Sequence, residues 1–158
     1  MKIVILEDNN DRRAVMRACM SDRFHQYELV FFDAARPMID FLRKHLDEIL
    51  VVALDHDLDL IPGESAALMD PGDGRDVADF LSSQRAVCEV VIHTTNAPAA
   101  AGMKMVLQDA DWRTHRVAPY GDLQWIDEQW FPAMRNAIVN SVDASPVMMK
   151  HEFGPTQS

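Results

Sequence analysis

"ILVVALDHDL", residues 49–58, runs six apolar residues straight into Asp55, His56 and Asp57. A short apolar run rich in β-branched residues and closed by polar ones reads as a strand buried on both faces, the habit of central strands in parallel sheets. "KIVIL" (2–6) repeats the pattern and ends in Glu7 and Asp8. Further strands are predicted at "YELVFF" (27–32), at "EVVIH" (89–93) and within "WRTHRVAP" (112–119).

Helical patterns separate these strands. "DRRAVMRACMSD" (11–22) sets Val15, Met16, Cys19 and Met20 on one face, and "DAARPMIDFLRKHL" (33–46) offers Asp33 as a cap with Pro37 in the first turn. "DGRDVADFLSSQ" (73–84) carries Val77, Phe80 and Leu81, and "APAAAGMKMVLQDA" (97–110) follows Asn96, a natural cap. A last helix is expected over about 124–142, with Ile126, Trp130, Met134 and Ile138 at helical spacing and Pro132 as a kink or true start. Strands alternating with helices imply an α/β fold: a three-layer α/β/α sandwich around a doubly wound, five-stranded parallel sheet. Right-handed crossovers favour the order 2-1-3-4-5, whose ligand crevice lies beyond the carboxyl ends of strands 1 and 3.

The size of the chain, 158 residues and 17.9 kDa, suits one domain, read as residues 1–142 with a C-terminal tail over 143–158. The net charge of −10 argues against a broad nucleic-acid or membrane surface, because both need clustered basic residues. Cys19 and Cys88 read as reduced, largely buried thiols, and "IVIL" is too short for a signal-peptide core, so a cytoplasmic protein is expected. The irregular stretch over 58–74 is long for a compact domain, and loops of that length usually have a job. His25, His45, His115 and His151 fall in segments with no partner pattern and read as surface residues, while Trp112, Trp125 and Trp130 read as packing residues.

On this topology Glu7, Asp8, Asp55 and Asp57 gather at one rim of the sheet. Four carboxylates there repel one another unless some take up protons or a cation joins them, and the rest of the chain is itself acidic, offering no compensating field. A hard divalent ion, Mg2+ or Mn2+, with oxygen ligands suits the cluster. If the third strand stays extended past Leu54, Asp55 and Asp57 share a face. A plainer role for the same acids is turn and strand-end capping.

The arrangement resembles the receiver domain of two-component response regulators, a CheY-like, flavodoxin-like fold. Glu7 and Asp8 match its acidic pair, Asp55 its phosphoacceptor and Thr94 the hydroxyl residue ending strand 4. Receivers carry a lysine before a proline after strand 5; here "VAPYG" puts Ala118 before Pro119. "DHDL" (55–58) and "HTTN" (93–96) are more similar to the cyclic-phosphate processing variant, with Asp59 standing where that variant is expected to have a glycine. That resemblance implies metal ligation by Glu7, Asp8, Asp55 and Asp57, catalysis by Asp55, His56 and His93, and phosphate binding by Thr94, Thr95 and Asn96. The expected activity is a metal-dependent phosphoesterase acting on a phosphate-containing small molecule or a cyclic-phosphate nucleic-acid end. Two alternatives share the fold: a stand-alone receiver phosphorylated on Asp55 in signal transduction, or a degenerate receiver acting only through a protein partner. The histidines can equally serve as structural hydrogen-bonding groups, and Thr94 and Asn96 as helix caps.

Overall fold

The structure is a computed structural model describing the backbone of residues 1–64 and 67–152 and the side chains of residues 1–64 and 67–144. Strands β1 (Lys2–Leu6), β2 (Glu28–Phe32), β3 (Ile49–Leu54), β6 (Glu89–His93) and β7 (Thr114–Val117) form one sheet in the order β2-β1-β3-β6-β7. Every pairing in it is parallel. Counted among themselves, these strands are ordered 2-1-3-4-5. Helices α1 (Asn10–Phe24), α2 (Ala35–His45), α3 (Gly74–Ser82), α4 (Ala97–Asp109) and α5 (Phe131–Glu152) make the crossovers and the final layer.

Side-chain parity divides the core in two. Ile3 and Ile5 of β1, Val51 and Ala53 of β3 and Val91 of β6 pack against Met16 and Met20 of α1 and Met134 and Ile138 of α5. Val4, Leu6, Val52, Leu54, Val90 and Ile92 face the other way, onto α2, α3 and α4. The three central strands are therefore buried on both faces, which explains their unbroken apolar runs. All three tryptophans are buried as well.

The 58–74 stretch holds a two-stranded antiparallel hairpin, β4 (Ile61–Pro62) and β5 (Leu68–Met69). Its beginning is tied down where the Asp59 amide donates to Asp8 Oδ2 at 2.5 Å. Its end is tied where Pro71 O accepts from Ala35 N at 2.8 Å. That second tie corrects the expected cap of the second helix. Its N-cap is Ala34, with no side-chain cap, and the Pro71 carbonyl of the 58–74 stretch takes over one of the free amides that Asp33 was expected to satisfy.

Helix α3 starts in a capping box, in which the Asp73 side chain accepts from Asp76 N while Asp76 accepts from Asp73 N. Its first residue must be small, because a Cβ on Gly74 would lie 2.0 Å from the Asp55 carbonyl oxygen. The start of α3 is thus pressed against the end of β3. Asp73→Ala is expected to cost about 1 kcal/mol in chemical denaturation, the usual worth of an N-cap.

Pro132 falls in the first turn of α5, preceded by a π-helical segment over Ile126–Trp130. A proline cannot return a hydrogen bond to the turn before it, and the Phe131 amide reaches five residues back to Ile126 O. The helix continues through the 142/143 position, where the sequence places the domain boundary, as far as Glu152; residues 153–158 of the expected tail lie outside the described residues.

Candidate metal and phosphate site

Parallel register builds the site. Leu6 pairs with Leu54, and Leu54 with Ile92, so the next residue of each strand, Glu7, Asp55 and His93, falls in one row. All three follow the parity of Ile5, Ala53 and Val91 and turn to the α1/α5 side. Each offers a ligand atom within 4.8 Å of the others, the one such group of three among the described residues. The row is buried, with Glu7 0 % exposed, His93 1 % and Asp55 5 %.

Arg12 joins the row from the first turn of α1. Its guanidinium donates to Glu7 Oε1 at 3.3 Å and stands 3.9 Å from Asp55 Oδ2. It also lies over the Trp125 ring, 5.7 Å from the centroid, and the His93 ring stands 5.8 Å from the same indole. Trp130 meets His93 edge-on. The expectation that nothing in the chain offsets the carboxylates is therefore corrected: Arg12 supplies a positive charge. The hint was present, since Arg12 follows the Asn9 cap by three residues, and the Asn9 side chain accepts from the Arg12 amide.

Burial sets the protonation of the row. Desolvation first, then a hydrogen bond to Glu7, pushes Asp55 up to about 8. Glu7 is also raised, chiefly by desolvation. Desolvation lowers His93 to about 4, so its ring is neutral near pH 7. Glu7 Oε2 and both ring nitrogens of His93 have no hydrogen-bond partner. Glu7 Oε2 and one His93 nitrogen face a common point with Asp55, and bare buried polar atoms there are costly unless something binds them.

The other expected site residues lie around this row and not in it. Strand β3 ends at Leu54, and the chain turns so that the His56 amide donates to Asp55 Oδ1 at 2.7 Å. The turn removes the extended geometry that would align Asp57 with Asp55, and the Asp57 side chain is 69 % exposed. One oxygen of Asp8, Oδ2, accepts from the Asp59 amide. His56 sits on the α3 side, its Nδ1 3.0 Å from Asp57 and its Nε2 3.6 Å from Asp73, so the two imidazoles lie against different layers. Thr94 is buried, and its hydroxyl oxygen accepts from Asn96 N at 3.1 Å. Asn96 caps α4 through Ala99 N, and Thr95 is exposed. Arg116 donates to the Thr94 carbonyl at 2.7 Å. His45 and His115, read as partnerless, each have a carboxylate at 2.6 Å, Glu48 and Glu89 respectively.

A 2-1-3-4-5 parallel sheet with acids at the carboxyl ends of its first and third strands defines a receiver-type α/β domain. Within that class, the profile described as Cyclic-phosphate processing Receiver domain matches residues 2–109, and the chain belongs to that family. No curated protein matches it. Among solved structures it is similar to a response regulator receiver domain from Rhodospirillum rubrum, with 15 % identity, TM-score 0.61, and coverage of 90 % of this chain and 94 % of that one. The response regulatory domain of mrkE from Klebsiella pneumoniae gives 14 % identity and TM-score 0.61, covering 90 % and 99 %. The Mn(2+)-bound form of response regulator Rcp1 gives 14 % and 0.58, covering 85 % and 89 %. At these identities the likeness establishes the fold. Among the described residues no helix is long and apolar enough to cross a membrane.

Proposed function

We propose that this domain is a divalent-metal-dependent phosphoesterase acting on a cyclic or terminal phosphate. The observation that carries the reading is the buried Glu7–Asp55–His93 row with bare donor atoms and a guanidinium beside it. Two carboxylates fit Mg2+ or Mn2+, and the Mn(2+)-bound Rcp1 neighbour supports a metal of this kind, while the family description supports phosphate processing. When bound, such an ion polarises a phosphate and lowers the pKa of water.

The remaining parts come from the chain. Arg12, no longer needed to neutralise Glu7 and Asp55, turns to a phosphate oxygen, for which its planar donors are suited. His56, with 17 % of its side chain exposed and its ring held by Asp57, is the imidazole placed to exchange a proton. In opening a cyclic phosphodiester, water forms one new P–O bond and one ring P–O bond breaks. The attacking water gives up one proton to solvent, the freed alkoxide leaves as a hydroxyl with the proton from His56, and solvent restores that proton.

Purified protein with Mg2+ or Mn2+ should open a 2′,3′-cyclic nucleotide or a cyclic-phosphate RNA end, and Asp55→Asn should abolish turnover while circular dichroism stays unchanged. Inactivity of the wild type across such a panel refutes the reading. The signalling alternative ranks second because Ala118 stands where receivers carry lysine and Arg116 is bound to the Thr94 carbonyl. A labile phosphoryl adduct seen by intact mass after treatment with a small phosphodonor, and absent in Asp55→Asn, would reverse that ranking. Failure to bind any divalent ion would favour a domain working only through protein contacts.

A further inference from the structure

We infer that His93 is itself a metal ligand, making this a two-carboxylate, one-imidazole centre that selects a transition ion such as Mn2+ over Mg2+. The inference deepens the metal reading above and rests on it. A receiver-like acidic site offers oxygen alone, and the sequence suggests the same through Glu7, Asp8, Asp55 and Asp57. The structure instead leaves Asp8 and Asp57 engaged elsewhere and puts an imidazole in the row.

The geometry is that of a ligand more than of a hydrogen-bonding partner. His93 Nε2 stands 3.8 Å from Glu7 Oε2, too far for a hydrogen bond. Two donors on one ion, with bonds of about 2.1 Å, span such a gap. A histidine buried for structural reasons ordinarily gives a ring N–H to a carboxylate or carbonyl, yet neither nitrogen of His93 has a partner, and an ion at Nε2 would satisfy the one that faces Glu7. The ring is also fixed in place, packed on Trp125 and edge-on to Trp130. That fixation suits a rigid ligand and leaves the imidazole little freedom to carry protons to bulk water. Imidazole nitrogen binds transition ions well and Mg2+ poorly, because Mg2+ prefers oxygen and retains its waters.

Isothermal titration with Mg2+ and Mn2+, combined with electron spin-echo envelope modulation of the bound Mn2+, tests the assignment. The expected spectrum shows 14N modulation that changes when histidines are labelled with 15N, is lost in His93→Gln and persists in His56→Gln. His93→Gln should weaken Mn2+ binding by at least about 100-fold, since even outer-shell changes cost 10–100-fold, and should narrow the preference over Mg2+. The labelling arm uses the wild type and the His56→Gln arm excludes the other imidazole beside the row, so together they decide the matter even if His93→Gln fails to fold. Bound Mn2+ without nitrogen modulation, or modulation that survives in a folded His93→Gln, overturns the inference and leaves the metal reading standing. Absence of Mn2+ and Mg2+ binding overturns both.

Discussion

Stability of the metal-free domain is expected to fall as pH rises from about 6.5 to about 8, by about 2 kcal/mol over that interval. The cause is Asp55, whose folded pKa is raised from 3.8 to about 8. A raised folded pKa means that the folded state holds the proton that the unfolded chain gives up. The associated stability is complete below 3.8 and lost progressively until pH passes about 8. His93 acts with the opposite sign. Its folded pKa is lowered from 6.5 to about 4, so its contribution is present above 6.5 and lost as pH falls toward 4. Between 4 and 6.5 the two slopes oppose each other. Above 6.5 the Asp55 slope stands unopposed, and the raised pKa of Glu7 has the same sign.

Urea denaturation in the presence of a chelator, at half-unit pH steps, measures this directly. Asp55→Asn should flatten the profile above pH 6.5, because the group that loses its proton is gone. Saturating Mn2+ should reverse the slope in the wild type, since metal ligands must be deprotonated and stabilisation by the ion therefore grows with pH. A flat wild-type profile, or a slope that persists in Asp55→Asn, would show that Asp55 is not the group responsible.

The fold was largely legible because parallel strands advertise themselves. "KIVIL", "ILVVAL" and "EVVIH" match the observed strands end to end, as expected of segments with no solvent-facing side to interrupt them. The acids after β1 and β3 were legible because they interrupt the apolar runs, although Glu7 and Asp55 are themselves buried. What the sequence does not carry is register between strands. Nothing in "EVVIH" shows that its histidine lies level with Asp55, whereas the pairings Leu6–Leu54 and Leu54–Ile92 make it so. That Asp57 falls outside the row was equally hidden, because it depends on a turn that begins one residue after Leu54 and is held by the His56 amide. Arg12 escaped notice because a basic residue on the first turn of a helix looks like an ordinary solvated charge. Its meaning depends on where that turn points. The capping of α2 by Pro71 O belongs with these cases, being a contact between residues 36 positions apart in the chain.

Arg12→Gln is expected to move two measurements in opposite directions. Without metal, the variant should be less stable by about 1–2 kcal/mol near pH 7. It loses a charged hydrogen bond to Glu7, discounted because the Arg12 side chain is 32 % exposed, while Asp55 is mostly protonated at that pH and adds little. With Mn2+, the same substitution should tighten binding by about tenfold, because it removes a cation that competes for the two carboxylates. The contrast separates a counter-ion from a structural brace. A residue that only packs α1 onto Trp125 would weaken the fold and the metal site together. A guanidinium standing in for an absent ion weakens one and strengthens the other. If Arg12 then turns to the substrate, turnover of a cyclic phosphate should drop in the variant despite tighter metal binding. Loss of metal affinity in a folded Arg12→Gln protein would contradict this account, because it would mean that Arg12 orders the carboxylates for the ion and does not compete with it.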